Sequence, residues 1–448
     1  MVVENNYISI LTKNLPKHWE SFRIGSVFVE RTEKVSDKDF APLSVTMKGI
    51  VPQLDTIAKT NNGDSRKKVC LNDFVINSRS DRKGSGGMSK YEGSVSLINT
   101  VLKPNDKYEN RYTNYLFTNV LFQEEFYKFG KGIVDDMWST KYFDMKYIKV
   151  PCPPIEEQIT IANHLDSQSK KIKHFIKKKQ TFIALLKEQR QAVINKAVTK
   201  GINPNVTLKN SGIDWLGNIP EHWEVIKLVG LCHFVRGNST FKKDELLNNG
   251  KYVALQYGKT YKVDEIDENY YFYVNEEFYK STQTIKFGDV IVVSTSETIE
   301  DLGHSVFYNR NDIGLLGGEQ IALKPYHQNI DNKYLYYSAK LFTKTLQIYA
   351  TGVKVFRFNI NHLKTIYTSL PPKEEQVQIV SHIKTETAKI DKAITQAQKE
   401  IELIKEYKEA MIAEAVLGKL NHKIMGNRSE IPNSSPQNSS NVLHNGAN

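Results

Sequence analysis

From Ile155 to about residue 200, and again from Lys373 to about residue 417, neither proline nor glycine interrupts the chain. In the second stretch Ile383, Ile390, Ile394, Ala397, Ile401, Ile404, Met411 and Ala415 recur in steps of three, four and seven, with Lys408 the one polar interruption. That spacing is a coiled-coil seam. The first stretch shows a looser stripe of Leu165, Ile172, Phe175, Phe182, Leu186 and Val193. At 1.5 Å of rise per residue, about 40 helical residues give a rod of roughly 60 Å. Gly201 and Gly418 supply the stop signals.

The texture differs elsewhere. Residues 20–150 and 225–370 hold short β-branched runs broken by turn sequences such as Asn61-Asn62-Gly63-Asp64 and Asn248-Asn249-Gly250. Helices are predicted around Asn114–Phe129 and Lys333–Tyr349. Beyond about residue 425 the chain is rich in Asn, Ser and Pro with almost no apolar side chains, the composition of a disordered tail. The expected domains are a globular unit over 1–150, a long helix over 151–202, a linker and second globular unit over 203–370, a second long helix over 371–420 and the tail over 421–448.

The pattern is written twice. Leu15-Pro16-Lys17-His18-Trp19-Glu20 returns as Ile219-Pro220-Glu221-His222-Trp223-Glu224, an offset of 204. Pro153-Pro154-Ile155-Glu156-Glu157-Gln158 returns as Pro371-Pro372-Lys373-Glu374-Glu375-Gln376, an offset of 218, so the second copy carries a net insertion of 14 residues. Asp73-Phe74-Val75-Ile76 answers Asp289-Val290-Ile291-Val292, and Leu102-Lys103-Pro104 answers Leu323-Lys324-Pro325. The fold expected is α+β: two pseudo-symmetric mixed α/β domains separated by two long antiparallel coiled-coil helices. Antiparallel pairing is preferred because a pseudo-twofold relates the halves most simply that way.

Composition narrows the classes. The 448 residues are 40% hydrophobic and 25% charged, as in soluble globular proteins, and the net charge of +11 accompanies 43 Tyr and Phe, a combination suited to nucleic acid. The start Met1-Val2-Val3-Glu4-Asn5-Asn6 lacks the basic and apolar regions of a secretory signal, and no apolar run reaches the 18 or so residues of a membrane span. Cys70, Cys152 and Cys232 form no Cys-x-x-Cys pair and read as small core residues in a reducing cytoplasm.

Catalytic signatures are missing. There is no phosphate-binding Gly-x-x-x-x-Gly-Lys-Ser/Thr loop and no Asn-Pro-Pro-aromatic methyltransferase motif, and the histidines have no metal spacing. Glu406-Tyr407-Lys408 resembles a nuclease fragment but lies on the rod and has no Pro-Asp dipeptide to complete it. His18-Trp19 and His222-Trp223 read as packing anchors, with the indole nitrogen or the histidine satisfying backbone groups. Glu156, Glu157, Gln158, Glu374, Glu375 and Gln376 read as helix-start residues that complement the helix dipole, with partner docking as the functional alternative.

Candidate DNA contacts are Arg79, Arg82, Lys83 and Lys90 around the Gly84-Ser85-Gly86-Gly87 loop, then Lys131, Trp138 and Lys141. In the second half they are Lys242, Lys243, Ser294, Thr295, Lys354 and Arg357. Cationic side chains neutralise phosphates, while Arg and Ser also address base edges. The halves differ in chemistry where they agree in position: Arg79-Ser80-Asp81-Arg82 faces Ser294-Thr295-Ser296-Glu297.

The duplicated Pro-x-His-Trp-Glu segments, Ile213-Asp214-Trp215-Leu216-Gly217 and the two Pro-Pro-x-Glu-Glu-Gln segments before long helices resemble the DNA specificity subunit of type I restriction–modification systems over about residues 10–420. The resemblance implies a non-catalytic subunit whose two target recognition domains each read half of a split, asymmetric site in double-stranded DNA. It implies a helical spacer that fixes the gap and binds two modification (methyltransferase) subunits, joined by two restriction subunits. S-adenosylmethionine, ATP and Mg then belong to those partners, this chain carries no cofactor, and no membrane is involved. The alternatives are a stand-alone DNA-binding or DNA-modifying enzyme with an unrecognised site in the domain clefts, and a coiled-coil interaction protein without a DNA role. Activity of the chain by itself and the salt dependence of DNA binding discriminate among them.

Overall fold

The computed structural model describes residues 9–53, 63–79, 82–132, 138–326 and 328–419. The expected tail over 421–448 and the Asn61-Asn62 half of the first turn lie outside the described residues. The chain divides into two units: residues 1–178 with 400–448, and residues 179–399. Each long helix contributes one portion to either unit.

Those helices span Ile155–Lys200 and Lys373–Val416. The last carbonyl before each, from Pro154 and Pro372, accepts the Gln158 and Gln376 N–H groups at 3.0 Å. Each helix ends at a glycine with φ of +71°, Gly201 and Gly418, the left-handed residue that closes a helix C-terminus. In the first unit Ile161, Ala162, Leu165 and Ile172, from the start of one helix, share a core with Met411, Ala415 and Val416 from the end of the other. In the second unit Ile194, Ala197 and Val198 share a core with Ile379 and Ile383. Start packs on end in both, so the pairing is antiparallel within each unit.

The second seam runs as its spacing predicts, with Ile383, Ile390, Ala397, Ile401, Met411 and Ala415 all buried. The first departs from prediction after Ile172. Phe175 and Phe182 are exposed, and the inward face passes instead through Ile176, Ile183 and Ile194, while Leu186 and Val193 are half-buried as predicted. A one-residue shift of the stripe keeps a 3.6-residue helix facing its partner over this length. The predicted helix over 114–129 is two helices, Asn110–Thr118 and Val120–Lys128, because Asn119 turns extended and its side chain caps the second by accepting from Phe122 N–H at 3.0 Å.

Both globular domains are built on the same three strands. In the first, Phe74–Asn77 lies between Gly86–Met88 and Asn99–Leu102, with Phe74 opposite Leu102. In the second, Val290–Val293 lies between Ser305–Tyr308 and Gln320–Pro325, with Val290 opposite Leu323. Every residue of the two central strands is buried, as near-continuous apolar runs require. The second domain extends this motif to five strands with Cys232–Arg236 and Glu265–Ile266, and adds a four-stranded sheet around Tyr252–Leu255. An antiparallel pair closes each domain, Glu20–Arg23 with Lys149–Cys152 and Glu224–Lys227 with Tyr367–Leu370. Among the described residues no helix is long and apolar enough to cross a membrane.

In the second unit an ionic network ties the helices to the domain. Arg190 meets Asp391 at 3.0 Å and Asp264 at 3.6 Å, and Lys340 meets Asp264 at 2.7 Å. Burial pushes the Asp264 carboxyl upward, yet Lys340 and Arg190 outweigh it and hold the group below the usual carboxylate range. Its stabilisation is present above about pH 4, the unfolded value, and fades as pH falls through the lower folded value. Asp264→Asn should therefore lower the unfolding midpoint at pH 7, by an amount that shrinks as pH falls below about 4, which thermal melts across that range will read.

A side chain at Gly418 would meet Pro16 Cγ at 2.6 Å and the Trp19 ring at 3.0 Å, whereas at Gly212 (φ +73°) it would meet nothing within 4 Å. Gly212→Ala should cost only the left-handed strain, about 1–2 kcal/mol. Gly418→Ala should cost more, and paired denaturant titrations measure the difference.

Candidate nucleic-acid interface

Each domain is fixed to the helix that follows it by one carboxylate. Glu157 accepts from Trp19 Nε1 at 2.9 Å and pairs with His18 Nε2 at 2.8 Å. Glu375 accepts from Trp223 Nε1 at 3.0 Å and pairs with His222 Nε2 at 2.8 Å. The tryptophans are buried anchors, as expected, but their indoles donate to these side chains and not to backbone groups. The adjacent glutamines are wholly buried. Gln158 accepts from Glu109 N–H at 2.8 Å and donates to Lys107 and Pro153 carbonyls at 2.8 Å. Gln376 does the same with Asp331 N–H (2.7 Å) and the Asn329 and Pro371 carbonyls (3.1 and 2.9 Å). Two buried tyrosines complete the junctions. Tyr112 and Tyr334 donate to the Val416 and Val198 carbonyls at 3.4 and 3.3 Å, and burial drives both hydroxyls well above their ordinary range. Glu156 and Glu374, by contrast, are exposed on the first helical turn.

The structure brings several of the cationic candidates together at the end of the central strand. In the first domain Arg79, just past the strand, pairs with Ser139, which pairs in turn with Lys131. Arg79, Ser139 and Lys141 line a cavity of about 820 Å³ with Asn99, Thr100 and the exposed Phe143. Trp138, also exposed, adjoins Ser139. The Lys131 amine is 2.6 Å from Asp144. Arg82 and Lys83 are exposed on the following loop, where the Lys83 amine sits 5.3 Å from the Tyr127 ring centre. Lys90 is exposed on the turn after Gly86–Met88 and does not line the cavity. Ser80 and Asp81 lie outside the described residues.

The second domain repeats the ladder: Thr295 pairs with Arg357, and Arg357 with Thr351. Lys354 is exposed in the loop between Thr351 and Arg357, beside Val353, which is 94% exposed. Ser294 and Thr295 are buried. Ser294 contributes main-chain bonds to Glu319 and Phe358 (3.0 and 3.1 Å), and the Thr295 hydroxyl donates to Glu319. Lys242 and Lys243 stand at a separate short turn, where Glu245 accepts from Lys242 N–H at 2.7 Å. Sequence reasoning missed Asn99 and Glu319; no motif marks either, because the ladder that gathers them joins segments distant in the chain. Among the described residues no group of His, Cys, Asp or Glu has a metal-binding arrangement.

The chain is similar to known proteins over most of its length. Residues 220–403 match the family model of the type I restriction modification DNA specificity domain. The first half, outside that match, carries the same junction and the same ladder. The chain is 25% identical over 438 residues to the type I restriction enzyme MjaVIII specificity subunit of Methanocaldococcus jannaschii, covering 94% of this chain and 97% of the relative. It is also 25% identical over 405 residues to the putative MjaX specificity subunit of the same organism, covering 88% and 87%. A chain from a solved structure of the type I R-M system shares the fold at a TM-score of 0.66 and 14% identity, over 91% of this chain and 99% of that one.

The junction has a direct test. Glu157→Ala leaves the Trp19 indole without its acceptor and should cost about 1–3 kcal/mol of stability. Glu156→Ala, on the exposed neighbour, should stay within about 0.5 kcal/mol of wild type. Comparable losses for both in thermal unfolding would show that Glu157 does not hold the domain.

Proposed function

We propose that this chain is a DNA specificity subunit that reads a bipartite, asymmetric site in double-stranded DNA, one half-site per domain, and carries no catalytic centre of its own. One observation supports this above the rest: the two domains share a three-segment ladder at the same place in the same strand motif, but present different side chains on it. Arg79 and Ser139 stand in one domain where Thr295 and Arg357 stand in the other. A frame held constant with its rim altered is what two readers of two sequences need. The net charge of +11 suits a polyanion.

In this reading the antiparallel helices set the spacing between half-sites and receive two modification subunits, with two restriction subunits completing the nuclease. Adenine methylation with S-adenosylmethionine, and ATP- and Mg-dependent cleavage, then occur in those partners, in the cytoplasm. Glu156 and Glu374, exposed beside the occupied Glu157 and Glu375, are the helix-start residues free to meet a partner.

The test is to co-express the chain with a modification subunit and map methylated adenines across a chromosome. A single split motif that disappears without this chain is expected. Arg79→Ala with Lys141→Ala should relax one half of the motif and spare the other; methylation independent of the chain, or loss spread evenly over both halves, would refute the modular reading. DNA affinity should also fall steeply with salt.

A further inference from the structure

Resting on the specificity reading, we propose that Glu319, together with Arg357, is the base-reading pair of the second domain and recognises a G·C base pair in its half-site.

Glu319 adopts φ of +64°, a left-handed backbone that disfavours any residue with a side chain. Glycine would fit there without strain, and the chain already places Gly317-Gly318 immediately before it. The turn is held from several sides. Gly317 and Gly318 N–H donate to the Leu255 and Ser239 carbonyls at 3.0 and 2.6 Å. The Glu319 and Gln320 carbonyls accept from Ser294 and Gly237 N–H at 3.0 and 2.9 Å. Gln320 Nε2 donates to the Leu255 carbonyl at 2.7 Å. A side chain at Gly237 would strike the Gly317 carbonyl oxygen at 1.8 Å, so the close approach beneath the turn is obligatory. The strained residue is thus presented on a rigid support, as recognition of a fixed edge requires.

Its carboxylate is oriented too. Oε2 takes the Thr295 hydroxyl and stands 3.9 Å from Arg357 Nε, with the Glu319 and Arg357 side chains 47% and 61% exposed. Among the described residues Oε1 accepts no hydrogen bond. A carboxylate accepts from the cytosine amino group, and an arginine fork donates to guanine O6 and N7, so adjacent Glu and Arg match the major-groove edge of a G·C pair.

The first domain lacks this chemistry at the same register. Asn99 faces Asn77 as Gln320 faces Val293, which sets Ile98 opposite Glu319 in the comparison and Arg79 opposite Thr295. At this register the first domain therefore offers an arginine and an isoleucine where the second offers a threonine and a carboxylate.

The experiment uses the chain co-expressed with a modification subunit and maps adenine methylation for wild type, Glu319→Gln, Glu319→Gly and Arg79→Ala. Arg79→Ala identifies the half-site of the first domain. Both Glu319 variants should lose discrimination at one G·C position of the other half-site, by about 5- to 150-fold, the range of one good base contact. Glu319→Gln, which keeps an oxygen for the Thr295 hydroxyl, should melt close to wild type, which separates recognition from folding. An unchanged motif in both variants, a change in the half-site assigned to Arg79, or a uniform loss of methylation with a lowered melting temperature would each overturn the proposal. A wild-type chain that yields no split motif would overturn the specificity reading, and this inference with it.

Discussion

A single carboxylate near the start of each long helix accepts from an indole and pairs with an imidazole, and the rest of each unit is arranged around it. Glu157 and Glu375 sit one residue before a buried glutamine that satisfies three backbone groups of the domain. The carboxylate fixes the chain entering the domain, and the glutamine fixes the segment preceding the domain's own helix. Left unpaired, these buried polar groups would cost far more than the bonds contribute in water, so the junction has one low-energy arrangement. The tryptophan that it orients meets the glycine closing the opposite helix: Trp19 lies against Gly418 and Trp223 against Gly201. Helix start, helix end and domain entrance are thereby set by one cluster in each unit.

The rims are where the two domains differ most. The central strands Phe74–Asn77 and Val290–Val293 are buried throughout and admit only side chains that fill the core. Immediately beyond them the chain surfaces, and packing no longer decides the residue. Arg79, Lys141 and Phe143 on one rim, and Glu319, Lys354 and Arg357 on the other, are exposed positions on a rigid ladder. Different chemistry can occupy the two rims with no change to the frame beneath, so one fold can present two different surfaces.

Much of the frame was legible in the linear pattern. The repeated Pro-x-His-Trp-Glu and Pro-Pro-x-Glu-Glu-Gln segments, the two uninterrupted helical stretches and their terminal glycines are local signals, set by periodicity and by the backbone demands of proline and glycine. The echoed Asp73–Ile76 and Asp289–Val292 marked the central strands, and the paired register reproduced the match. The second seam followed its spacing because its apolar positions are unbroken save for Lys408. The first went astray at Phe175, where apolar residues on neighbouring faces gave the period two solutions and the partner helix chose one.

What the sequence determined by itself was duplication, the two rods, their stops and the family resemblance, all properties of neighbours in the chain. Tertiary structure alone decided that the two Glu-Glu-Gln segments hold the domain entrances by side-chain bonds, that Thr295 and Ser294 belong to the support, and that Glu319 stands beside Arg357. These groups come together from positions tens to hundreds of residues apart, through strand register and buried hydrogen bonding. No local pattern encodes such a meeting, because its free energy arises only when the distant partners leave water together.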